Sequence, residues 1–195
     1  FGFRGEALAS INAISLLEII SADNLNGKGS VFKGGKTVSA ACPKGTTIKV
    51  ENIFYNVPVR KKFLKSKAQE FSKVYNTFLE FVIQYPEIRF HFTSEKKEEV
   101  FTSTTQNKRY EQVFGKDILT KVKTIDTKNE FLKIKGIITK PNNYFFYPNN
   151  YLYINKRAVY STQISKLIQK CYKDYLMVQQ KPFFVLFIEL DPKTL

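Results

Sequence analysis

The apolar rhythm of this chain changes period at Pro86, and that change restricts the fold more than any other feature. Phe71, Val74, Tyr75, Phe78, Phe81 and Val82 recur at intervals of three and four, which predicts a core-facing helix from Ala68 onward. Pro86 ends it, and Ile88, Phe90 and Phe92 then alternate with Arg89, His91 and Thr93 as in a half-buried strand. The same pairing returns later. Ile164, Leu167, Ile168, Cys171, Tyr172, Tyr175 and Leu176 hold a helical rhythm for three turns, and Phe183–Leu190 then reads as a buried strand. A chain that alternates these two periods builds a mixed α/β (α+β) fold.

Other elements follow by turn chemistry and alternation. Leu16–Ala22, Val31–Ala41, Thr47–Phe54, Phe131–Thr139 and Tyr151–Asn155 read as strands, with a turn at Asn24–Gly27. Asn56 is the expected N-cap, with Pro58 in the first turn of a basic helix. A short helix is expected near Tyr110–Phe114, and the polar stretch Thr102–Lys108 suggests a boundary. The organisation expected is therefore residues 1–104 followed by 105–195, the latter incomplete at its end.

The chain has 195 residues, 43% of them hydrophobic and 15% aromatic, which fits a folded protein. Its net charge of +14 points to a polyanionic partner, nucleic acid before an acidic membrane surface. Residues 1–104 carry 15 Lys and Arg against 10 Asp and Glu; residues 105–195 carry 16 against 7. The basic excess thus concentrates in the second part. Two cysteines, Cys42 and Cys171, have neither metal-ligand spacing nor a disulfide framework, and Cys171 is expected in the core on its apolar helical face. No secretory signal is visible, and the apolar run Phe183–Ile188 is too short to span a bilayer.

Gly27-Lys28-Gly29-Ser30 lacks the first glycine of a P-loop and reads as a hairpin turn. The single histidine, His91, alternates on a polar strand face and has no Asp partner near it in sequence, so a Ser-His-Asp site has no support.

Three strings carry the functional signal. In Phe1-Gly2-Phe3-Arg4-Gly5-Glu6-Ala7-Leu8-Ala9-Ser10-Ile11, glycines three residues apart run into a helical pattern, a place where free backbone N–H groups and the helix dipole suit a phosphate. Gly45-Thr46-Thr47-Ile48-Lys49-Val50 leads into Ile53–Leu64, a turn glycine and strand followed by Arg60, Lys61 and Lys62. Tyr151–Val159 holds Asn155-Lys156-Arg157 at a strand end. Lys166, Lys170 and Lys173 form a basic stripe opposite the apolar face of the last helix.

The first string resembles the third ATP-site motif of the MutL family of DNA mismatch-repair ATPases. The second is similar to the family's Gly-Thr strand and "LF-N-P-A-R-KFL" segment, and the third to its "Y-V-N-G-R" strand end, with Lys156 where many relatives carry glycine. Pro182–Pro192 resembles the family's "LDP" strand. The resemblance covers essentially the whole chain, as an internal stretch of the N-terminal ATPase region. It implies the rear of a GHKL-type ATPase sandwich followed by a small α/β lobe of the ribosomal-protein-like type.

The resemblance also implies an ATP site at Gly2, Phe3, Arg4, Gly5, Glu6, Ala7 and Leu8, with Thr46 at the adenine end. Arg4 either contacts a phosphate or holds the lid by an ion pair. Glu6 is expected to be structural. In relatives the water-activating glutamate, the Mg²⁺-binding asparagine and an Asp-x-Gly-x-Gly loop come from earlier segments. The parent protein is therefore expected to hydrolyse ATP with Mg²⁺ and the 195 residues alone are not, so no catalytic or metal-binding residue is assigned here. The implied partners are double- or single-stranded DNA, a MutS-type mismatch recognition protein, and a second copy or paralogue joined by ATP-dependent dimerisation, with no membrane. The implied compartment is the bacterial cytoplasm, or the nucleus of a eukaryote. Lys156, Arg157, Lys166, Lys170, Lys173, Arg60, Lys61 and Lys62 are the DNA-contact candidates. Two other readings stay open: another GHKL ATPase such as a type II topoisomerase subunit, and a basic nucleic-acid-binding module without ATPase activity.

Overall fold

The computed structural model describes residues 6–23, 27–95, 97–141, 143–145, 148–177 and 179–191. The chain divides into two compact units, Phe1–Glu70 and Phe71–Leu195. No helix among the described residues is long and apolar enough to cross a membrane.

The first unit contains helix α1 (Ala7–Asn12), strands β1 (Leu16–Ala22), β2 (Lys28–Lys33), β3 (Lys36–Ala41) and β4 (Gly45–Glu51), and helix α2 (Pro58–Lys62). Its sheet is antiparallel, in the order β3-β2-β1-β4. Val31–Ala41, expected as one strand, is a hairpin. Gly34 and Gly35 take φ of 56° and 77°, the left-handed pair a tight turn between twisted strands requires. Lys28-Gly29-Ser30, expected in a turn, lies in β2 instead. Gly29 is needed there for closeness: a Cβ would overlap Cys42 Sγ and Ser21 O.

Helix α3 (Lys67–Gln84) carries the division between the units. The second unit then runs through β5 (Phe90–Thr93), β6 (Glu98–Phe101), α4 (Gln106–Phe114), α5 (Ile118–Lys121), β7 (Val122–Lys128), β8 (Leu132–Thr139), β9 (Tyr151–Ile154), β10 (Arg157–Ala158), α6 (Thr162–Cys171) and β11 (Phe184–Leu190). β5 and β6 form a hairpin, and the larger sheet has the order β10-β9-β11-β8-β7. Among the described residues only β9 and β11 pair in parallel, and α6 lies in the connection between them.

The large sheet is covered on both faces. Leu152, Phe184 and Leu186 pack with Ile164 and Ile168 of α6. The other face packs Ile137, Tyr151, Tyr153 and Val185 against Leu79, Val82 and Ile83 of α3 and Tyr110 of α4. β11, central in the sheet, needs apolar residues on both faces, which explains its unbroken apolar run. The expected α3 face is partly corrected, because Phe71, Val74 and Phe81 are exposed whereas Leu79 and Ile83 are buried beside Val82. α6 ends at Cys171, earlier than its rhythm suggested, and Cys171 is exposed; Cys42 is the buried cysteine.

Candidate functional site

Gly2, Phe3, Arg4 and Gly5 lie outside the described residues. Glu6 is the N-cap residue of α1, exposed and without a side-chain capping bond; Ala7 and Leu8 form the first turn and are exposed too. The backbone between α1 and β1 is held from a distance. Phe54 N–H donates to Ile14 O at 2.6 Å, and Asn56 Nδ2 donates to Ala13 O at 2.9 Å. Asn56 is therefore a tether and not the expected helix cap; Val57 occupies the N-cap position of α2 and makes no side-chain capping bond. The tethering loop is strained, with Asn52 and Phe54 at φ of 53° and 62°. A bulky residue such as Phe54 is held there only by surrounding contacts. The second sequence string is thus hydrogen-bonded to Ala13 and Ile14, just after the first string ends.

Thr46 lies on β4 opposite Ser21 of β1, and the two hydroxyls are 2.8 Å apart. The register places Leu17, Ile19, Phe32, Ile48 and Val50 on the same sheet face as this pair. Ile48 and Val50 are 49% and 44% exposed. The opposite face carries Leu16, Ile20 and Val31 and one ionic cluster, in which Glu18 accepts from Lys49 at 3.0 Å and faces Lys33 at 3.5 Å. The Lys49 hydrogen bond keeps the Glu18 carboxyl below the usual range. No group of three or more His, Cys, Asp or Glu side chains among the described residues could hold a metal ion.

Arg60, Lys61 and Lys62 are exposed on α2, beside Val59 and Phe63, which are 67% and 77% exposed. In the second unit, Asn155 and Lys156 form the turn between β9 and β10, with φ of 47° and 64°. Asn155 acts as an added rung of the sheet. Its Nδ2 donates to Leu190 O at 3.1 Å, its Oδ1 accepts from Leu190 N–H at 2.9 Å, and its own N–H donates to Ile188 O at 2.9 Å. Lys156 O accepts from Gln84 Nε2 at 2.5 Å.

Lys156 lines a cavity of about 440 Å³ whose wall includes Tyr110 and Tyr153, on the α3–α4 side of the large sheet. Burial raises both phenols far above the ordinary range. Lys166, Lys170 and Lys173 are brought together around a different cavity at the end of α6. Their helical spacing was legible in sequence, but Lys156 is placed at a separate cavity. Two features had no usable sequence signal: the Asn56 tether and the buried Arg109. The latter's Nη2 donates to Pro86 O and Ile88 O, each at 2.8 Å.

A family model described as "DNA mismatch repair protein, C-terminal domain" matches residues 110–195. The DNA mismatch repair protein MutL of Prosthecochloris aestuarii is 36% identical over 207 residues, covering 98% of this chain and 32% of that protein. MutL of Agathobacter rectalis is 37% identical, covering 97% and 31%. The chain therefore spans about a third of the length of these curated relatives. Among solved structures, the Aquifex aeolicus MutL ATPase domain complexed with ADP superposes with a TM-score of 0.75 at 26% identity, over 96% of this chain and 72% of that one. The mixed α/β architecture is that of this GHKL-type ATPase domain. With its sequence strings, its fold and nearly its whole length matched, the chain belongs to the MutL family of DNA mismatch repair proteins.

Proposed function

We propose that these residues are part of an ATP-driven mismatch-repair switch. The complete protein binds and hydrolyses ATP, dimerises through its N-terminal region, binds DNA and passes mismatch recognition by a MutS-type protein to strand processing. The observation that carries this reading is the superposition of nearly the whole chain on a MutL ATPase domain that holds ADP.

In this reading the adenine rests over the apolar sheet face, with the Thr46–Ser21 hydroxyl pair at its edge. The phosphates meet the segment Gly2 to Leu8, where backbone N–H groups at the start of α1 attract negative charge. The Asn56 and Phe54 bonds support that segment from behind, so movement at α1 reaches the basic helix α2. ATP and Mg²⁺ supply the phosphoanhydride and its counter-charge; no described residue is assigned to the metal. The division into lobes near residue 104 belongs to this proposal, supported by the family match that begins at Tyr110. The lysines and arginines of α2, the β9–β10 turn and α6 supply sequence-independent phosphate contacts.

The test uses the complete protein that carries these residues. A non-hydrolysable ATP analogue should convert it from monomer to dimer in sedimentation, and Gly5→Pro should abolish both that shift and Mg²⁺-dependent turnover. A protein that binds DNA but ignores the analogue would refute the reading and favour a plain nucleic-acid-binding module.

A further inference from the structure

The turn between β9 and β10 is held from outside its own strands. Both of its residues are left-handed, Asn155 at φ 47° and Lys156 at φ 64°, as in a two-residue hairpin turn of the primed kind. Such a turn favours Asn followed by Gly, because glycine takes a positive φ at no steric cost. Lys156 stands there instead, and its left-handed backbone needs support. β10 gives little, being two residues long and at the edge of the sheet. Asn155 is fixed by β11, through Ile188 and Leu190. The next peptide unit, which leads from Lys156 into the exposed Arg157, is held by α3: Lys156 O accepts from Gln84 Nε2 at 2.5 Å.

Gln84 is the last residue of α3. One helical turn earlier, about 6 Å along the axis, Glu80 O accepts from the Tyr153 hydroxyl at 2.8 Å. Helix α3 therefore grips this hairpin twice, on the strand that enters the turn and on the peptide that leaves it. The helix end is itself anchored, since Ile83 O accepts from Gln106 Nε2 of α4 at 3.0 Å. The two grips differ in freedom. Tyr153 is buried and stacked on Phe187, with ring centroids 4.7 Å apart. Gln84 is half-buried and, with Lys156, lines the cavity of about 440 Å³. Its amide has room to turn away while the Tyr153 bond stays in place.

We propose that Gln84 is a positioning residue for Arg157. With its amide on the Lys156 carbonyl, the turn presents Arg157 in one direction; with the amide swung into the cavity, the strand end is released. The proposal rests on the DNA reading given above and adds a control on one of its contacts.

Amide hydrogen exchange of the complete protein, read peptide by peptide in a mass spectrometer, and duplex binding at low salt by fluorescence anisotropy provide the test. Gln84→Met keeps the side-chain length and removes the donor. It should speed exchange in residues 153–159 about fivefold, the equilibrium worth of one ordinary hydrogen bond, and leave β7, β8 and β11 unchanged. Gln84→Glu, which sets an acceptor against the carbonyl, should do at least as much. Duplex affinity should fall about fivefold for Gln84→Met, and should fall no further where Arg157→Ala is already present. Lys156→Gly should cancel the exchange effect of Gln84→Met, because Asn-Gly holds such a turn unaided. A rise in exchange spread over β7, β8 and β11 would make Gln84 merely structural and overturn the proposal. Unchanged exchange at residues 153–159, or an affinity loss that adds fully to that of Arg157→Ala, would overturn it too. A protein that binds no duplex would sink the DNA reading, and the exchange comparison would still decide the Gln84 grip.

Discussion

Asn155 and Lys156 are neighbours in one turn, both left-handed, yet substitutions at them should act in opposite directions. Asn155 uses its side chain fully: two hydrogen bonds to Leu190 join β9 to β11 at the sheet's centre. Asn155→Gly keeps the backbone free to hold its φ of 47° but removes both bonds. At about 1 kcal/mol each, the loss is about 2 kcal/mol. Asn155→Ala adds the left-handed cost of an L side chain, about 1 kcal/mol, and should lose about 3 kcal/mol. Among the described residues the Lys156 side chain makes no hydrogen bond or ion pair, and only its carbonyl is engaged, by Gln84. Lys156→Gly relieves about 1–2 kcal/mol of left-handed strain and adds about 0.5–1 kcal/mol of chain entropy. The net expectation is a gain of about 0.5–1 kcal/mol. For a chain of this size each kcal/mol moves the melting temperature by about 2–4 °C. Urea and thermal unfolding followed by far-UV circular dichroism would measure all three variants. If Lys156→Gly destabilised the protein, or Asn155→Gly cost no more than Lys156→Gly, the assignment of roles within the turn would be wrong.

Gly136 lies in β8 at φ 145°, where a Cβ would overlap the carbonyl of Val185 on the neighbouring strand; Gly136→Ala should cost about 3 kcal/mol in urea unfolding, and a neutral result would show that β8 and β11 can separate there without penalty. Burial pushes the Tyr151 phenol up to about 12 from an ordinary value of 10.0. Its stabilising contribution is complete below pH 10 and is lost as pH rises toward 12, so Tyr151→Phe should flatten alkaline destabilisation in that window, read from tyrosinate absorbance alongside unfolding. Thiol labelling of the native chain should modify Cys171 quickly and Cys42 only on unfolding; two equally fast thiols would contradict the burial of Cys42 beneath Gly29.

The elements legible in sequence are those whose period alone fixes them. α3, β5 and β11 bury apolar residues in regular patterns, and the strings around Gly45–Leu64 and Tyr151–Val159 are continuous in sequence. What escaped depends on distant partners. Asn56 followed by Pro58 satisfies a local capping rule, but Val57 takes the N-cap position and the Asn56 side chain is turned to donate to the distant Ala13 carbonyl. β6 is half acidic, and pairing with Phe90–Thr93 decides it rather than its own composition. Cys171 follows the helical rhythm of α6, yet a ten-residue helix on a small sheet covers only its Ile164 and Ile168 positions. The lysine stripe was visible as a spacing, whereas the cavity beside it needed the approach of Leu176, Met177 and Gln180.

The position of β11 in its sheet also sets an order of assembly. β7–β8 and β9–β10 are local hairpins, and β11 joins them by pairing with β8 on one side and β9 on the other. During synthesis the two hairpins leave the ribosome before their shared neighbour exists, each with the edge that β11 will cover still open. Closure waits for residues 184–190 and must bring together strands more than thirty positions apart, a slow step by topology. Until then the apolar residues of β8 and β9 have no central partner. A nascent chain stalled before Phe184 should therefore be protease-sensitive throughout its second unit and prone to associate through those edges.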